Sequence, residues 1–122
     1  MSESAKQKYK EGAEKYLESI IQLKSDFNKE LGVSVSHSIS FDASLNTFNL
    51  YLEIDGKIKA RYDNGIEVCI ILYGQNNKII ERNEISVGEK AKSFETCEAY
   101  FSDDKFIKVC NIKRIVLYWE SY

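Results

Sequence analysis

The sequence predicts a mainly β domain with one N-terminal helix, and three observations lead there. Up to Gly32, apolar residues recur at steps of three or four, the spacing of one helix face. Beyond Gly32 they alternate with polar residues in short runs, the period of half-buried strands. Those runs are separated by Asn, Asp and Gly, residues that favour turns. At 122 residues one domain is expected, spanning residues 1–122. A chain of this size buries roughly two thirds of the surface it exposes when unfolded, enough for one real core.

The helix is expected over about residues 3–31. This stretch lacks Pro, and its only Gly is Gly12. Tyr9, Ala13, Tyr16, Ile20, Leu23, Phe27 and Leu31 fall on one face, and Leu17 and Ile21 widen the stripe. Lys6, Lys10, Glu14 and Lys24 occupy the opposite face. Glu11 and Lys15 form a favourable i,i+4 pair. Ser2 or Ser4 can cap the start. Gly32 is placed to end the helix in the left-handed conformation. A helix of that length would measure about 43 Å. A compact domain of this size is roughly 35 Å across. Either the polar start frays, leaving residues 9–31, or the stripe pairs with a second copy as a short coiled-coil seam.

The β part is expected over about residues 33–120. Val33 to Phe41 opens a rather polar strand. Phe48, Leu50, Leu52 and Ile54 alternate with Thr47, Asn49, Tyr51 and Glu53 in a second. Asp55-Gly56 suits a tight hairpin turn, with Ile58, Ala60 and Tyr62 on the return. Asp63-Asn64-Gly65 is another turn signal. Ile66 to Tyr73 is the most apolar strand. Gln75-Asn76-Asn77 turns into a short strand from Lys78 to Arg82. Ser86 to Lys92 is a polar connection around Gly88. Ser93 to Phe101 and Ile107 to Trp119 are the last strands, joined by a turn at Ser102-Asp103-Asp104-Lys105. Many short strands with frequent turns suggest an antiparallel sandwich or open barrel.

Two strands are apolar on both faces. In residues 66–73, Cys69, Ile71 and Tyr73 back the row Ile66, Val68, Ile70 and Leu72. In residues 115–119, Val116 and Tyr118 back Ile115, Leu117 and Trp119. Such strands are usually covered on both sides. A facing sheet can cover one side, and the amphipathic helix is expected over Cys69, Ile71 and Tyr73.

Ile70-Ile71-Leu72-Tyr73-Gly74, followed by Asn76-Asn77-Lys78-Ile79-Ile80, resembles the FxLYD-like bacterial immunoglobulin-like β-sandwich domains. Gly56-Lys57-Ile58-Lys59-Ala60 with Asn64-Gly65, and Gly88-Glu89-Lys90-Ala91-Lys92-Ser93-Phe94, resemble two further segments of that family. The similarity covers about residues 50–100. Ile70 replaces the motif's Phe, Gly74 its Asp, and Val87 stands where the family has Pro. The resemblance implies an immunoglobulin-like antiparallel sandwich, with the helix packed on one sheet, and an accessory module rather than a defined activity.

Composition narrows the function. The net charge is −2, so electrostatics alone attracts neither nucleic acid nor an anionic membrane. The apolar run from Val68 to Tyr73 is far too short to span a bilayer. Residues 2–8 are polar, unlike an export signal, so the expected setting is a bacterial cytoplasm. The three cysteines, Cys69, Cys97 and Cys110, are odd in number and lack CxxC spacing, so free thiols are expected. His37 is the only histidine, which rules out a His-rich metal site. Asp103-Asp104 and Asp63-Asn64 lack the spaced ligands of a calcium loop. The six glycines are scattered and form no phosphate-binding loop. No cofactor is expected.

The eight tyrosines stand out. Exposed tyrosines contribute heavily to protein interfaces. Tyr9 and Tyr16 on the helix, Tyr51 on the polar side of its strand, and Tyr118 near the end are the interaction candidates. The expected function is a non-catalytic, intracellular protein-interaction module, of the immunity or inhibitor type, bound to a protein or to itself as a homodimer. Two alternatives stay open: a small enzyme using carboxylates or a thiol, and a carbohydrate-binding module using Tyr and Trp119.

Overall fold

A computed structural model describes residues 3–42, 44–45, 47–62, 64–87, 94–101 and 109–121, the stretch 94–101 by its backbone alone. The turn expected at 102–105, the connection around Gly88, Asp63, and the Cys97 side chain lie outside the described residues.

The chain is mainly β, with an N-terminal helix and two sheets. Helix α1 spans Glu3–Ser19, followed by strand β1 (Ile21–Leu23) and the short helix α2 (Phe27–Leu31). Then come β2 (Ser34–Asp42), β3 (Thr47–Asp55), β4 (Ile66–Tyr73), β5 (Ile79–Val87), β6 (Phe94–Phe101) and β7 (Arg114–Ser121). Sheet A has the order β1-β7-β4-β5, and sheet B the order β2-β3-β6. Among the described residues all pairings are antiparallel except β1 with β7, which departs from the purely antiparallel expectation.

The expected single helix over residues 3–31 is therefore corrected. The polar start is helical from Glu3, and the helix stops at Ser19 instead. The Ser19 hydroxyl donates to the Tyr16 carbonyl, and Ile20 N–H closes a tight last turn on Leu17. The β-branched pair Ile20-Ile21 then leaves for β7. Ile115 N–H donates to Ile20 O at 3.0 Å, and Lys24 N–H to Leu117 O at 2.8 Å. Strand pairing with residues far along the chain overrides local helix propensity here. Asp26 restarts the helix as an N-cap, its carboxylate accepting from Lys29 N–H at 3.0 Å. Gly32 ends α2 at φ 81°, as expected for a left-handed cap. Of the stripe proposed for a coiled-coil seam, α1 keeps Tyr9, Ala13 and Tyr16, while Leu23 passes to β1 and Phe27 and Leu31 to α2.

Ala13 and Leu17 form the buried line of α1, with Tyr16 and Ile20 half-buried beside them. The helix lies along β2, not over Cys69, Ile71 and Tyr73 as expected. Glu14, expected in solvent, accepts Phe41 N–H at 2.9 Å, and Glu18 accepts Ile39 N–H at 3.0 Å. Two carboxylates of α1 thus satisfy outward donors of β2, the edge strand of sheet B.

Strands β2, β3 and β4 match the expected runs, and β5 extends further, to Val87. The return strand expected at Ile58–Tyr62 is absent. Gly56 takes φ 113°, and a Cβ there would meet the Gly32 carbonyl at 3.2 Å. Its turn steers the chain against α2, where Lys59 N–H donates to Leu31 O, and not back along β3. Ile58 is buried, and a 3₁₀ turn at Ala60–Tyr62 leads into β4. Before β7, a 3₁₀ turn at Val109–Asn111 takes part of the long strand expected from Ile107. The core gathers Leu50, Leu52 and Ile54 of sheet B with Ile66, Val68, Ile70, Leu72, Ile115 and Leu117 of sheet A into one cluster.

Candidate functional site

Alternation along β4 and β7 puts Val68, Ile70, Ile115 and Leu117 in the core and sends Glu67, Cys69, Ile71, Tyr73, Arg114, Val116, Tyr118 and Glu120 to the other side of sheet A. The pairing register arranges these into four rows across β7, β4 and β5. Glu67 lies between Glu120 and Ser86, Cys69 between Tyr118 and Glu84, and Ile71 between Val116 and Arg82. Past a bulge at Leu72/Tyr73, Arg114 pairs with Tyr73 and Ile79. The outer surface is thus acidic at one end of the strands, apolar in the middle and basic at the other end.

Cys69, Ile71 and Val116 are buried. Among the described residues, the side chains seen over this floor come from the sheet and its margin. The Arg114 guanidinium stacks 4.5 Å from the Tyr73 ring centre, and the Lys24 ammonium sits 5.8 Å from that of Tyr118. Arg82 Nη2 approaches Cys69 Sγ at 3.9 Å and pairs through Nε with Glu84 at 2.8 Å. Arg114 Nε is buried with no hydrogen-bond partner among the described residues.

The titratable groups respond to this layout. The Glu67 carboxyl is raised above its ordinary range, first by a hydrogen bond with Glu84, then by burial and by the charges of Glu84 and Glu120. Burial pushes the Cys69 thiol up, against a lowering hydrogen bond from Tyr118. Tyr118 is also raised, chiefly by burial. A thiol pushed up stays protonated, the opposite of an activated nucleophile.

The four candidate tyrosines are not brought together. Tyr9 is 46% exposed and meets Phe41 edge-on, with ring centres 5.4 Å apart. The Tyr16 hydroxyl donates to the Ile112 carbonyl, a fixing role between α1 and the approach to β7. Tyr51 is on sheet B, where its hydroxyl accepts from Asn49. Tyr118 alone belongs to the surface just described. Trp119 points the opposite way from Tyr118, its ring edge-on to Tyr62 at 4.9 Å and its Nε1 donating to Glu30. It offers no flat strip with Tyr118 for a sugar. His37 is on sheet B, away from Cys69 on the outer side of sheet A. Among the described residues no group of three or more His, Cys, Asp or Glu is arranged to hold a metal ion. Cys69 and Cys110 are free thiols, the first buried and the second exposed. Among the described residues no helix is long and apolar enough to cross a membrane.

Sequence reasoning missed Glu67, Glu84, Glu120, Arg82 and Arg114. Their signal was the strand register, since Glu67 faces Glu120 only once β4 is laid beside β7. No family model, curated protein or solved structure matches the chain.

Proposed function

We propose that this chain is a non-catalytic protein-interaction module whose contact surface is the outer side of sheet A. The observation that carries the reading is that β4 and β7 are apolar on both sides, and among the described residues the side chains seen over their outer side are those of the sheet and its margin, Arg82, Arg114 and Lys24. Strands of that kind are usually covered on both sides, and a partner protein supplies the second cover. Aromatic and Arg side chains, here Tyr73, Tyr118 and Arg114, are the types enriched at energetic centres of interfaces. The Cys69 thiol, raised by burial, weighs against its use as an activated nucleophile. An immunoglobulin-like β-sandwich fits the two sheets and their shared core, and the FxLYD-like resemblance points the same way. An immunity or inhibitor role belongs to the same class of function. The free thiols Cys69 and Cys110 suit a reducing cytoplasm.

The test is affinity capture from the native host with the full chain and with Tyr118→Glu, each first checked for native far-UV circular dichroism. Wild type is expected to retain a specific protein, a second copy included, that Tyr118→Glu loses. Equal capture by both variants would remove this surface from the reading. Turnover of a small molecule, lost on Glu67→Gln or Cys69→Ala, would establish the enzyme instead.

A further inference from the structure

The four rows on the outer side of sheet A have a property that no single row shows. Reading along the strands, charge changes from Glu120 and Glu67, through Glu84 beside Arg82, to Arg114. A two-fold axis lying in the contact plane and crossing the strands, between the row of Tyr118-Cys69 and the row of Val116-Ile71, reverses that sequence on a facing copy. Glu120 then faces Arg114 of the second copy, and Glu84 faces Arg82. Tyr118 faces Val116, Cys69 faces Ile71, and Glu67 faces the Tyr73 phenol. The surface is self-complementary, the requirement for an isologous dimer. An in-plane axis along the strands would instead lay the acidic row on the acidic row and the Arg114 row on itself.

We infer that the partner of this surface is a second copy of the chain, packed face to face with strands antiparallel and Glu120 paired with Arg114 across the two-fold. This inference rests on reading the outer side of sheet A as the contact surface. Three observations support it. Glu120 of the acidic end and Arg114 of the basic end occupy matching positions on the same strand, β7. The Arg114 guanidinium, stacked on Tyr73, has no ion pair among the described residues, so its charge is free to meet an incoming carboxylate from Glu120. Glu67 is held above its ordinary range by Glu84 and Glu120, an acidic cluster that a facing phenol and guanidinium would relieve. Aligned packing of twisted sheets places the strands about 30° apart, which keeps the central rows in register and loosens the corners.

Area sets the expected strength. Three strands at about 4.8 Å spacing, each presenting about seven residues at about 3.4 Å, make a surface of roughly 14 by 24 Å, to which the three-residue β1 adds about 50 Å². Two such surfaces bury on the order of 800 Å², the size of a weak, transient contact. The dimer is therefore weak and reversible.

Sedimentation equilibrium of the full chain tests this, from low micromolar to submillimolar concentration. Wild type is expected to shift from monomer to dimer across that range. Arg114→Glu and Glu120→Arg each create two like-charge contacts per dimer and should weaken association at least tenfold. An equimolar mixture of the two variants restores both contacts and should recover a dimer. Arg114→Gln, which keeps a polar side chain without the charge, should fall between wild type and Arg114→Glu. A monomer at every concentration overturns the self-pairing. So does a dimer that both charge reversals leave intact, or one that dissociates with Tyr9→Glu alone. If wild type is monomeric while Tyr118→Glu still abolishes capture of a different protein, self-pairing fails and the protein-binding reading survives. If wild type is monomeric and capture ignores Tyr118→Glu, both fail.

Discussion

Cys69 and Cys110 place the same functional group in opposite surroundings. Cys110 is exposed in the turn before β7, whereas Cys69 lies under Tyr118 and Arg82. A thiol reagent at neutral pH should therefore label Cys110 rapidly in the native protein and Cys69 only as the chain opens. Mass mapping after a brief pulse checks this, and equal rates would place Cys69 at the surface. The alkaline side follows from the raised thiol. Unfolded, Cys69 ionises near its ordinary value of 9.0; folded, it ionises higher. Stability from this group is intact below about pH 9 and is lost as pH rises through the folded value. Urea midpoints should fall above pH 9, and Cys69→Ala should flatten part of that fall. Tyr118 ionises in the same direction, so the residual slope should shrink with Tyr118→Phe. Burial of Cys69 and Leu17 was legible from their positions in apolar stripes. The fate of Glu14 was not, because a carboxylate on the polar flank of a helix reads as solvated until a strand edge arrives beside it.

At the scale of elements, β2 and α1 form one unit. An edge strand offers its outward N–H groups to any extended chain. Here Glu14 and Glu18 occupy those of Phe41 and Ile39. Replacing both by Ala should destabilise the protein by about 1–3 kcal/mol, the usual range for losing hydrogen bonds to charged groups. It should also raise aggregation, seen by light scattering during mild heating. A double variant as stable and as dispersed as wild type would show that water caps this edge equally well. Strands β2, β3 and β4 were legible because each alternates cleanly between turn signals. The break after Ser19 was half legible. Ser25-Asp26 is an N-cap signature and Gly32 a C-cap, and together they bracket α2. Nothing local to Ile20–Leu23 announces a strand, since its partner β7 is more than ninety positions away. The missing return strand after Gly56 has a similar origin: α2 competes for that segment and wins.

For the molecule as a whole, β7 is the strand on which sheet A depends. It joins β1 to β4, and Ile115 and Leu117 are fully buried. A chain truncated before residue 114 should lose cooperative unfolding, because β4 loses one neighbour and the core two of its central side chains. Far-UV and near-UV circular dichroism with urea would report this, and a sharp transition in the truncated chain would show that sheet A closes without β7. The candidate surface is visible only at this scale. A net charge of −2 hides an acidic and a basic end that almost cancel. Three separate strands, more than fifty residues apart at their extremes, contribute to it, and composition contains no trace of their register.

The position of β7 also has a consequence in time. It is synthesised after both strands it separates, and about forty residues after the end of β4. At about 5–20 residues per second, β4 waits roughly 2–8 s with one of its edges unfilled. The nascent chain thus carries its most apolar strand unprotected for seconds, while α1, β2 and β3 can already assemble from neighbouring sequence. A holdase bound at the ribosome would find its natural target in residues 66–73, and slowing translation would lengthen the interval in which it is needed.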